Sequence, residues 1–354
     1  MPGKVTNYQC PACTGPLHFD ESTGKLQCDY CGNSYTVEEI EGLYAGKNEQ
    51  AEAAGTPEAP SEWGEDAAHM RAYSCPSCGA ELICEETTAA TACPYCGNPT
   101  VVPGQFGGTM RPDYIIPFKV SKEEAVAALK KHYRGKLLLP KAFASENHLQ
   151  EIKGIYVPFW LFDAKAQADT QFKTTRSHTH RTHNERIITT DHYLVERQGT
   201  VEFRRIPVDG ASKMPDSHMD AIEPFDYREL KEFSMAYLPG FFADKYDVTA
   251  QECKARADER CRASAVQAME DSVLGYESRV CVRSDVKMDM GQVKYALFPV
   301  WLLSTKWKDK NYLFAMNGQS GKFIGDLPIS WGKCAAWFAG IYGVLAALLA
   351  LILL

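Results

Sequence analysis

The sequence predicts an α+β protein in which two small N-terminal zinc ribbons, each with four cysteine ligands, precede a mixed α+β domain with antiparallel strands and a C-terminal transmembrane helix. Three observations predict this architecture. Four Cys-x-x-Cys pairs lie in the first hundred residues, helix and strand signals alternate over residues 105–330, and the chain ends in an apolar run. With 354 residues, the chain is long enough for two or three structural units.

The cysteine pairs form an internal repeat. In each copy, 14 residues separate the first pair from the second. A duplicated unit is the simplest interpretation of this matched spacing. The first copy contains Cys10, Cys13, Cys28 and Cys31, and the second contains Cys75, Cys78, Cys93 and Cys96.

Four thiolates complete the tetrahedral coordination of a zinc ion, so the repeat predicts two bound Zn²⁺ ions, with iron as the alternative for a site of four cysteines. Because four cysteines leave no open position for water, we expect both ions to be structural rather than catalytic. The N-terminus has no signal-peptide run, so we expect reduced thiols. Cysteines without pair spacing are predicted to be small buried residues: Cys84, Cys253, Cys261 and Cys281.

Composition divides the chain into five segments. An acidic, Ala/Pro/Gly-rich stretch is typical of a flexible linker and separates the two ribbons. The predicted domains are zinc ribbon 1 at 1–40, the linker at 41–70, zinc ribbon 2 at 71–104, the α+β domain at 105–330 and the transmembrane helix at 331–354.

Capping boxes and turn signals predict the elements of the α+β domain. The box Ser121-Lys-Glu-Glu124 predicts a helix through about His132, and Thr249-Ala-Gln-Glu252 predicts a helix that ends near Gly275. Residues Gln198-Gly199 predict the turn of a hairpin. A second β-rich stretch is predicted from Arg279 to Ile324.

Three short segments share a Pro followed by aromatic residues, beginning at Tyr156, Tyr237 and Leu297. We interpret them as three core strands, because aromatic residues dominate protein cores. A ligand groove lined by Trp160, Phe241 and Trp301 is the alternative.

Four of the nine histidines cluster at His178, His180, His183 and His192. We interpret this cluster as an exposed polar strand, because no carboxylate or cysteine lies at a fitting spacing. A second metal site is the alternative.

Charge and motif content exclude several classes of function. Residues 1–110 contain 4 Lys and Arg against 15 Asp and Glu, so binding of nucleic acid through the ribbons is not favoured. A protein partner with a basic face fits better. No Gly-Lys step is followed by Ser or Thr, and neither His-Glu-x-x-His nor Gly-x-Ser-x-Gly occurs. We therefore expect no catalytic activity.

The last 21 residues carry no charge, which predicts a membrane-spanning helix at 331–354, with a buried core helix as the alternative. Lys322 and Lys333 flank the N-terminal side of the uncharged run, so we expect the N-terminal domains to face the cytoplasm. Ala339, Gly343 and Ala347 are small residues through which two such helices could form a homo-oligomer. The run reaches Leu354, which fits either a tail anchor or a chain with further segments.

Longer motifs indicate a family. The repeat beginning Tyr8-Gln-Cys-Pro-Ala-Cys13, the segment Tyr237-Leu-Pro-Gly-Phe-Phe-Ala-Asp-Lys-Tyr-Asp-Val248 and the late Asn317-Gly-Gln-Ser-Gly-Lys322 resemble bacterial membrane-anchored proteins with two transcription-factor-IIB-type zinc ribbons. Such proteins are often labelled primosomal protein N′ or replication helicase, but this chain lacks the phosphate loop of a helicase. Some relatives are encoded beside phage-shock protein A and SPFH-domain proteins.

The residues and the resemblance together imply a membrane-anchored, cytoplasm-facing adaptor whose ribbons recruit protein partners. The resemblance further implies a role in envelope stress, with SPFH-domain or phage-shock-type proteins as candidate partners. The second hypothesis is a nucleic-acid-binding zinc-ribbon protein of the transcription or replication type, without helicase activity. A ligand-binding or enzymatic site in residues 105–330 is a third hypothesis.

Overall fold

The computed structural model describes most of the chain. The described residues are 10–13, 17–28, 30–48, 63, 70–85, 93–96, 98, 102–104, 110–140, 143, 149, 151–181, 185–307 and 310–353. Most of the predicted linker at 41–70 lies outside them.

The described residues form fourteen strands and five α-helices. The strands are β1 Leu17–Asp20, β2 Lys25–Cys28, β3 Ser34–Tyr35, β4 Met70–Ser74, β5 Glu81–Glu85, β6 Val102–Gly104, β7 Tyr114–Ile115, β8 Lys153–Arg181, β9 Arg186–Asp209, β10 Lys231–Glu232, β11 Phe242–Asp244, β12 Ser278–Trp307, β13 Lys310–Asn317 and β14 Phe323–Gly325. The helices are α1 Val37–Asn48, α2 Lys122–Tyr133, α3 Asp216–Ile222, α4 Ala250–Asp271 and α5 Trp331–Leu353.

These strands form two sheets. The smaller is antiparallel, in the order β1-β2-β3. The larger contains eleven of the described strands in the order β10-β7-β12-β8-β11-β5-β4-β6, with β13 on β12, β14 on β13 and β9 on β8. The chain is therefore mostly sheet, and the ribbon-2 strands β4 and β5 belong to the larger sheet.

The larger sheet is mixed, which corrects the predicted antiparallel α+β domain. Strand β11 lies parallel to β8, with Phe242 opposite Ile155, and antiparallel to β5, with Asp244 opposite Leu82. A parallel pair needs a long connection, and here more than fifty residues separate β8 from β11. Local turn signals do not reveal such a pairing.

The chain divides into two compact units. Unit 1 contains residues 1–158, 211–245 and 297–354, and unit 2 contains residues 159–210 and 246–296.

The core of unit 1 is built around the ring of Phe118. This ring stacks on Phe241 with 4.1 Å between centroids and contacts Tyr156 and Trp301 edge-on at 5.1 and 5.0 Å. The Trp301 indole N–H donates to the carbonyl of Val120 at 2.8 Å. The aromatic residues of these segments that belong to unit 1 therefore lie in its core, as predicted. The segments beginning at Tyr156 and Leu297 lie in strands β8 and β12, whereas Tyr237 lies in a 3₁₀ helix before β11, so the prediction of a strand there is wrong for its first residues.

Helix α2 begins at the predicted capping box. The Ser121 hydroxyl accepts from the backbone N–H of Glu124, and the Glu124 carboxylate accepts from the backbone N–H of Ser121. Four side chains of one helix face are buried: Ala125, Val126, Leu129 and Tyr133. This helix is confirmed within one residue of its predicted end.

The motif Asn317–Lys322 forms a buried polar turn in unit 1. The Asn317 amide donates to the carbonyl of Ile222 at 3.0 Å, while its oxygen accepts from the backbone N–H groups of Gln319 and Ser320. The Gln319 amide donates to the Glu229 carboxylate at 2.6 Å. These bonds satisfy polar groups that would be costly to bury unpaired, which gives the motif a structural role.

Unit 2 is dominated by long antiparallel strands. The pairing of β8 with β9 runs from Phe159 opposite Asp209 to Arg181 opposite Arg186. The predicted turn at Gln198-Gly199 is wrong, because Gly199 lies inside β9 opposite Ala168. A Cβ at Gly199 would lie 3.1 Å from Met269, so close packing against helix α4 explains this glycine.

Helix α4 packs on these strands through small residues. It begins at the predicted Thr249 capping box and ends at Asp271, slightly before the predicted limit. Its buried residues recur every four positions: Cys253, Ala257, Cys261 and Ala265. Cys253 and Cys261 are thus small core residues, as predicted, and Cys84 is likewise buried in β5, whereas Cys281 is only half-buried.

Residues 331–353 form helix α5, whose described side chains are mostly exposed. Within the part of the chain that the structure describes, no helix combines the length and apolar character needed to cross a membrane. This finding contradicts the predicted transmembrane helix at 331–354 and the predicted single-pass location with cytoplasmic N-terminal domains. The apolar run predicted the helical conformation of residues 331–353 correctly.

We expect Gly154→Ala to destabilise unit 1. A Cβ at this position would lie 2.5 Å and 2.8 Å from two ring atoms of Phe241, which is itself stacked on Phe118. Overpacking of this kind costs about 1–3 kcal/mol, which thermal unfolding followed by circular dichroism would detect.

The matched control is Gly42→Ala, because nothing lies within 4 Å of a Cβ at this position of helix α1. It should be neutral or stabilising by up to about 1 kcal/mol. Equal melting temperatures for the two variants would show that Gly154 is not closely packed.

Candidate metal centres

Ribbon 1 is built from β1, β2, β3 and helix α1. Two cysteine-containing loops, or knuckles, bring four sulfur atoms together, with Sγ–Sγ distances of 3.5 Å for Cys10–Cys31 and 3.5 Å for Cys13–Cys28. All four lie within 4.8 Å of one another. Beneath them a small core forms from Leu17, Phe19, Leu26, Val37 and Ile40.

Ribbon 2 repeats this arrangement. Its sulfur atoms are separated by 3.6 Å for Cys75–Cys96 and 3.7 Å for Cys78–Cys93, and all four again lie within 4.8 Å of one another. The same cross-pairing of first with fourth and second with third cysteine occurs in both ribbons. The eight predicted ligands therefore form two clusters, and each cluster comes from one copy of the repeat.

The sulfur spacing fits a tetrahedral metal ion. With Zn–S bonds of about 2.3 Å, the edges of a tetrahedron of four sulfur atoms are about 3.8 Å long, close to the distances in both clusters. A disulfide would need about 2.05 Å, and all thirteen cysteines are free. The chain therefore carries two zinc sites, each with four cysteine ligands.

Backbone hydrogen bonds shape the knuckles in the same way. The N–H of Cys28, Cys75 and Cys93 donates in each case to the carbonyl five residues later, at 2.9, 2.9 and 2.8 Å. Gly32 and Gly79 both have φ of +72°, a conformation that side chains other than glycine rarely adopt. In these two knuckles the glycine after Cys-x-x-Cys is therefore required by the backbone conformation.

The thiols of each cluster differ in acidity. Burial opposes ionisation of Cys10, but hydrogen bonds from the Ala12 backbone and the Tyr35 hydroxyl lower the pKa of this thiol to about 6. In ribbon 2, burial raises the pKa of Cys78 to about 11, and burial raises the pKa of Cys93 further. Four adjacent thiolates require a cation, so this donor set fits Zn²⁺.

Within unit 1, ribbon 2 is joined to the rest of the larger sheet through β11. Strand β5 pairs with β11, and the buried Tyr95 hydroxyl donates to the buried carboxylate of Asp244. The adjacent Lys245 ammonium lies 2.9 Å from the Glu81 carboxylate, and its backbone N–H donates to the Glu81 carbonyl at 3.1 Å. The sequence did not single out Tyr95 or Asp244.

Ribbon 1 contacts other parts of unit 1 through different groups. The Phe19 ring contacts Tyr237 edge-on, with 5.4 Å between centroids. The Glu21 carboxylate accepts from the backbone N–H of Lys122 at 3.3 Å. Tyr237 and Asp244 both belong to the segment Tyr237–Val248, so this motif contacts both ribbons.

The histidine cluster does not form a metal site among the described residues. His178 and His180 share one face of β8, but His192 lies opposite Thr175 and therefore on the other face. The imidazole of His178 lies 3.6 Å from the carboxylate of Asp191. The side chains of His178, His180 and His192 are all exposed. His183 lies outside the described residues.

The alternative of an aromatic groove is likewise not supported. Phe241 and Trp301 are buried against Phe118 in unit 1. Trp160 is buried in unit 2, where its indole N–H donates to the Val248 carbonyl at 2.9 Å. These rings belong to the cores of their own units.

The fold and its two sites define a zinc-binding protein with two ribbons, and comparison with known proteins identifies its relatives. Residues 9–39, which cover ribbon 1, match the family described as Trm112p-like protein. The chain is 36% identical over 341 residues to the Bacillus subtilis (strain 168) protein named "Uncharacterized protein YdjG", covering 96% of this chain and 95% of that protein. The chain therefore belongs to the same family as YdjG. No solved structure matches it.

The family comparison confirms the zinc-binding part of the resemblance seen in the sequence. The transcription-factor-IIB-type assignment and the primosomal label stay predictions, because the match names a different family.

We expect the two zinc sites to differ in their effect on stability. Inductively coupled plasma mass spectrometry should find two zinc ions in the purified protein. Each of the double variants Cys10→Ser/Cys13→Ser and Cys75→Ser/Cys78→Ser should retain one zinc ion. The ribbon-2 variant should melt at the lower temperature, because β5 lies between β4 and β11 in the larger sheet. Cys281→Ser should change neither zinc content nor melting. Equal melting of the two double variants would contradict the structural role assigned to ribbon 2.

Tyr95→Phe should destabilise the zinc-loaded protein by about 1.5–3 kcal/mol, because it removes a hydrogen bond to the buried carboxylate of Asp244. The repeat supplies the control, since Tyr30 occupies the corresponding position of ribbon 1 and is 78% exposed. Tyr30→Phe should change the free energy of unfolding by less than about 0.5 kcal/mol. Urea denaturation of both variants tests this, and equal destabilisation would refute the contact with Asp244.

Proposed function

We propose that this zinc-binding protein is a scaffold that recruits protein partners through its ribbons. The observation that carries the proposal is the closed character of both metal sites. Four cysteines leave no position for a substrate or a water molecule, so the metal stabilises a surface and does not catalyse a reaction. The proposal assigns no catalytic step to the chain.

Charge favours a protein as the partner. Ribbon 1 exposes Glu38 and Glu39 in the first turn of α1, and residues 1–110 contain 15 acidic side chains against 4 basic ones. Such a surface repels the phosphates of DNA or RNA and attracts a basic protein face. Partners of the SPFH-domain or phage-shock type are candidates from the family resemblance.

The attachment of the ribbons supports the proposal further. Ribbon 1 contacts Tyr237 and ribbon 2 pairs with β11, so both metal clusters are held against the segment Tyr237–Val248 of unit 1. A recruiting surface that is fixed before binding loses less conformational entropy when a partner docks. Association of two copies through Ala339, Gly343 and Ala347 stays a prediction.

The test is a pull-down from cells with the full-length chain and the Cys10→Ser/Cys13→Ser variant, followed by mass spectrometry. We expect specific proteins to be recovered with the wild type, lost with this variant and retained with Cys281→Ser. Their recovery should fall as salt screens the acidic surface.

Treatment with nuclease separates the two hypotheses. Proteins whose recovery resists nuclease support recruitment through protein contacts. Recovery of nucleic acid that depends on the ribbon-1 cysteines would overturn the proposal and favour the nucleic-acid-binding alternative.

A further inference from the structure

The two copies of the zinc-ribbon repeat carry a tyrosine at the same position. Each second knuckle ends in Tyr-Cys, with Tyr30 before Cys31 in ribbon 1 and Tyr95 before Cys96 in ribbon 2. The two tyrosines therefore stand in equivalent places next to equivalent metal ligands. Their surroundings differ completely, and this difference indicates a binding site.

In ribbon 2 the position is occupied by the chain itself. Tyr95 is 6% exposed, and its hydroxyl donates to Asp244, which is 3% exposed. Asp244 ends the extended segment Phe242–Asp244, which pairs with β5 of the ribbon. A strand of sequence aromatic, small residue, carboxylate thus docks beside the second knuckle.

The residue after this carboxylate also contacts the ribbon. Lys245 forms an ion pair with Glu81 at 2.9 Å and donates its backbone N–H to the same residue. The docked segment therefore presents a carboxylate to the tyrosine and an ammonium group to an acidic side chain of the ribbon. Ribbon 1 has Pro16 at the position of Glu81, so only the contact between tyrosine and carboxylate can be repeated there.

In ribbon 1 the equivalent tyrosine is left open. Tyr30 is 78% exposed, and the ribbon is attached to unit 1 through Phe19 and Glu21 instead. An exposed aromatic side chain is ordinary by itself. Here, however, the other copy of the repeat shows what the position binds.

We infer that the second knuckle of ribbon 1 binds an extended segment of a partner protein, in which an Asp or Glu carboxylate accepts the hydrogen bond of the Tyr30 hydroxyl. The segment has an aromatic residue two positions before the carboxylate, as Phe242–Asp244 has in ribbon 2. This inference rests on the proposed recruitment of proteins and names the residue and the chemistry through which ribbon 1 performs it.

The test uses a fluorescently labelled peptide of the chain's own sequence, Pro239-Gly-Phe-Phe-Ala-Asp-Lys-Tyr-Asp-Val248. We expect saturable binding to the zinc-loaded full-length protein by fluorescence anisotropy. Affinity should fall about tenfold with Tyr30→Phe, and by a similar factor when the peptide carries Asp244→Asn, because each change removes the hydrogen bond to a charged group.

The control variant is Tyr193→Phe, the same chemical change at an exposed tyrosine of unit 2, and it should leave the affinity unchanged. Zinc content and melting temperature establish that Tyr30→Phe is folded. Absence of peptide binding at millimolar concentration would overturn the inference. So would equal affinities for wild type and Tyr30→Phe, or for the Asp and Asn peptides.

A second comparison separates this inference from the proposed function. If partners are lost with Cys10→Ser/Cys13→Ser but retained with Tyr30→Phe, recruitment by ribbon 1 stands and the role of Tyr30 is refuted. If the cysteine variant loses no partner, the proposed function itself fails. Loss of the same partners with both variants supports both.

Discussion

The contact between strand β11 and ribbon 2 is the interaction on which the arrangement of unit 1 depends. Strand β11 lies between β8 and β5, so it joins a strand of the metal-binding repeat to the larger sheet. At its end, the carboxylate of Asp244 accepts from Tyr95 inside the protein. A buried carboxylate is costly unless it is hydrogen-bonded, which makes this pairing specific as well as stabilising.

The metal sites and the sheet therefore support one another. Zinc holds the knuckles in a conformation that the hydrogen bonds from Cys75 and Cys93 also favour. Without a cation, burial raises the pKa values of Cys78 and Cys93, so these two thiols resist ionisation. Since β5 belongs to the ribbon and to the larger sheet, the ribbon is part of the fold and not an appendage.

Duplication has given the two ribbons different positions. Ribbon 2 uses its second knuckle to hold the chain's own strand, whereas ribbon 1 is attached through Phe19 and keeps Tyr30 exposed. The same position of the repeat is therefore buried against Asp244 in one copy and exposed in the other.

The local features could be predicted from the sequence: eight zinc ligands, the capping boxes at Ser121 and Thr249, and the helical conformation of residues 331–353. These features depend on residues a few positions apart, or on two knuckles within one repeat. The tertiary structure alone decided the parallel pairing of β11 with β8 and the continuation of β9 through Gly199. It also decided the contact of Tyr95 with Asp244, 149 residues away. Such contacts arise from packing between distant segments, which local spacing does not encode.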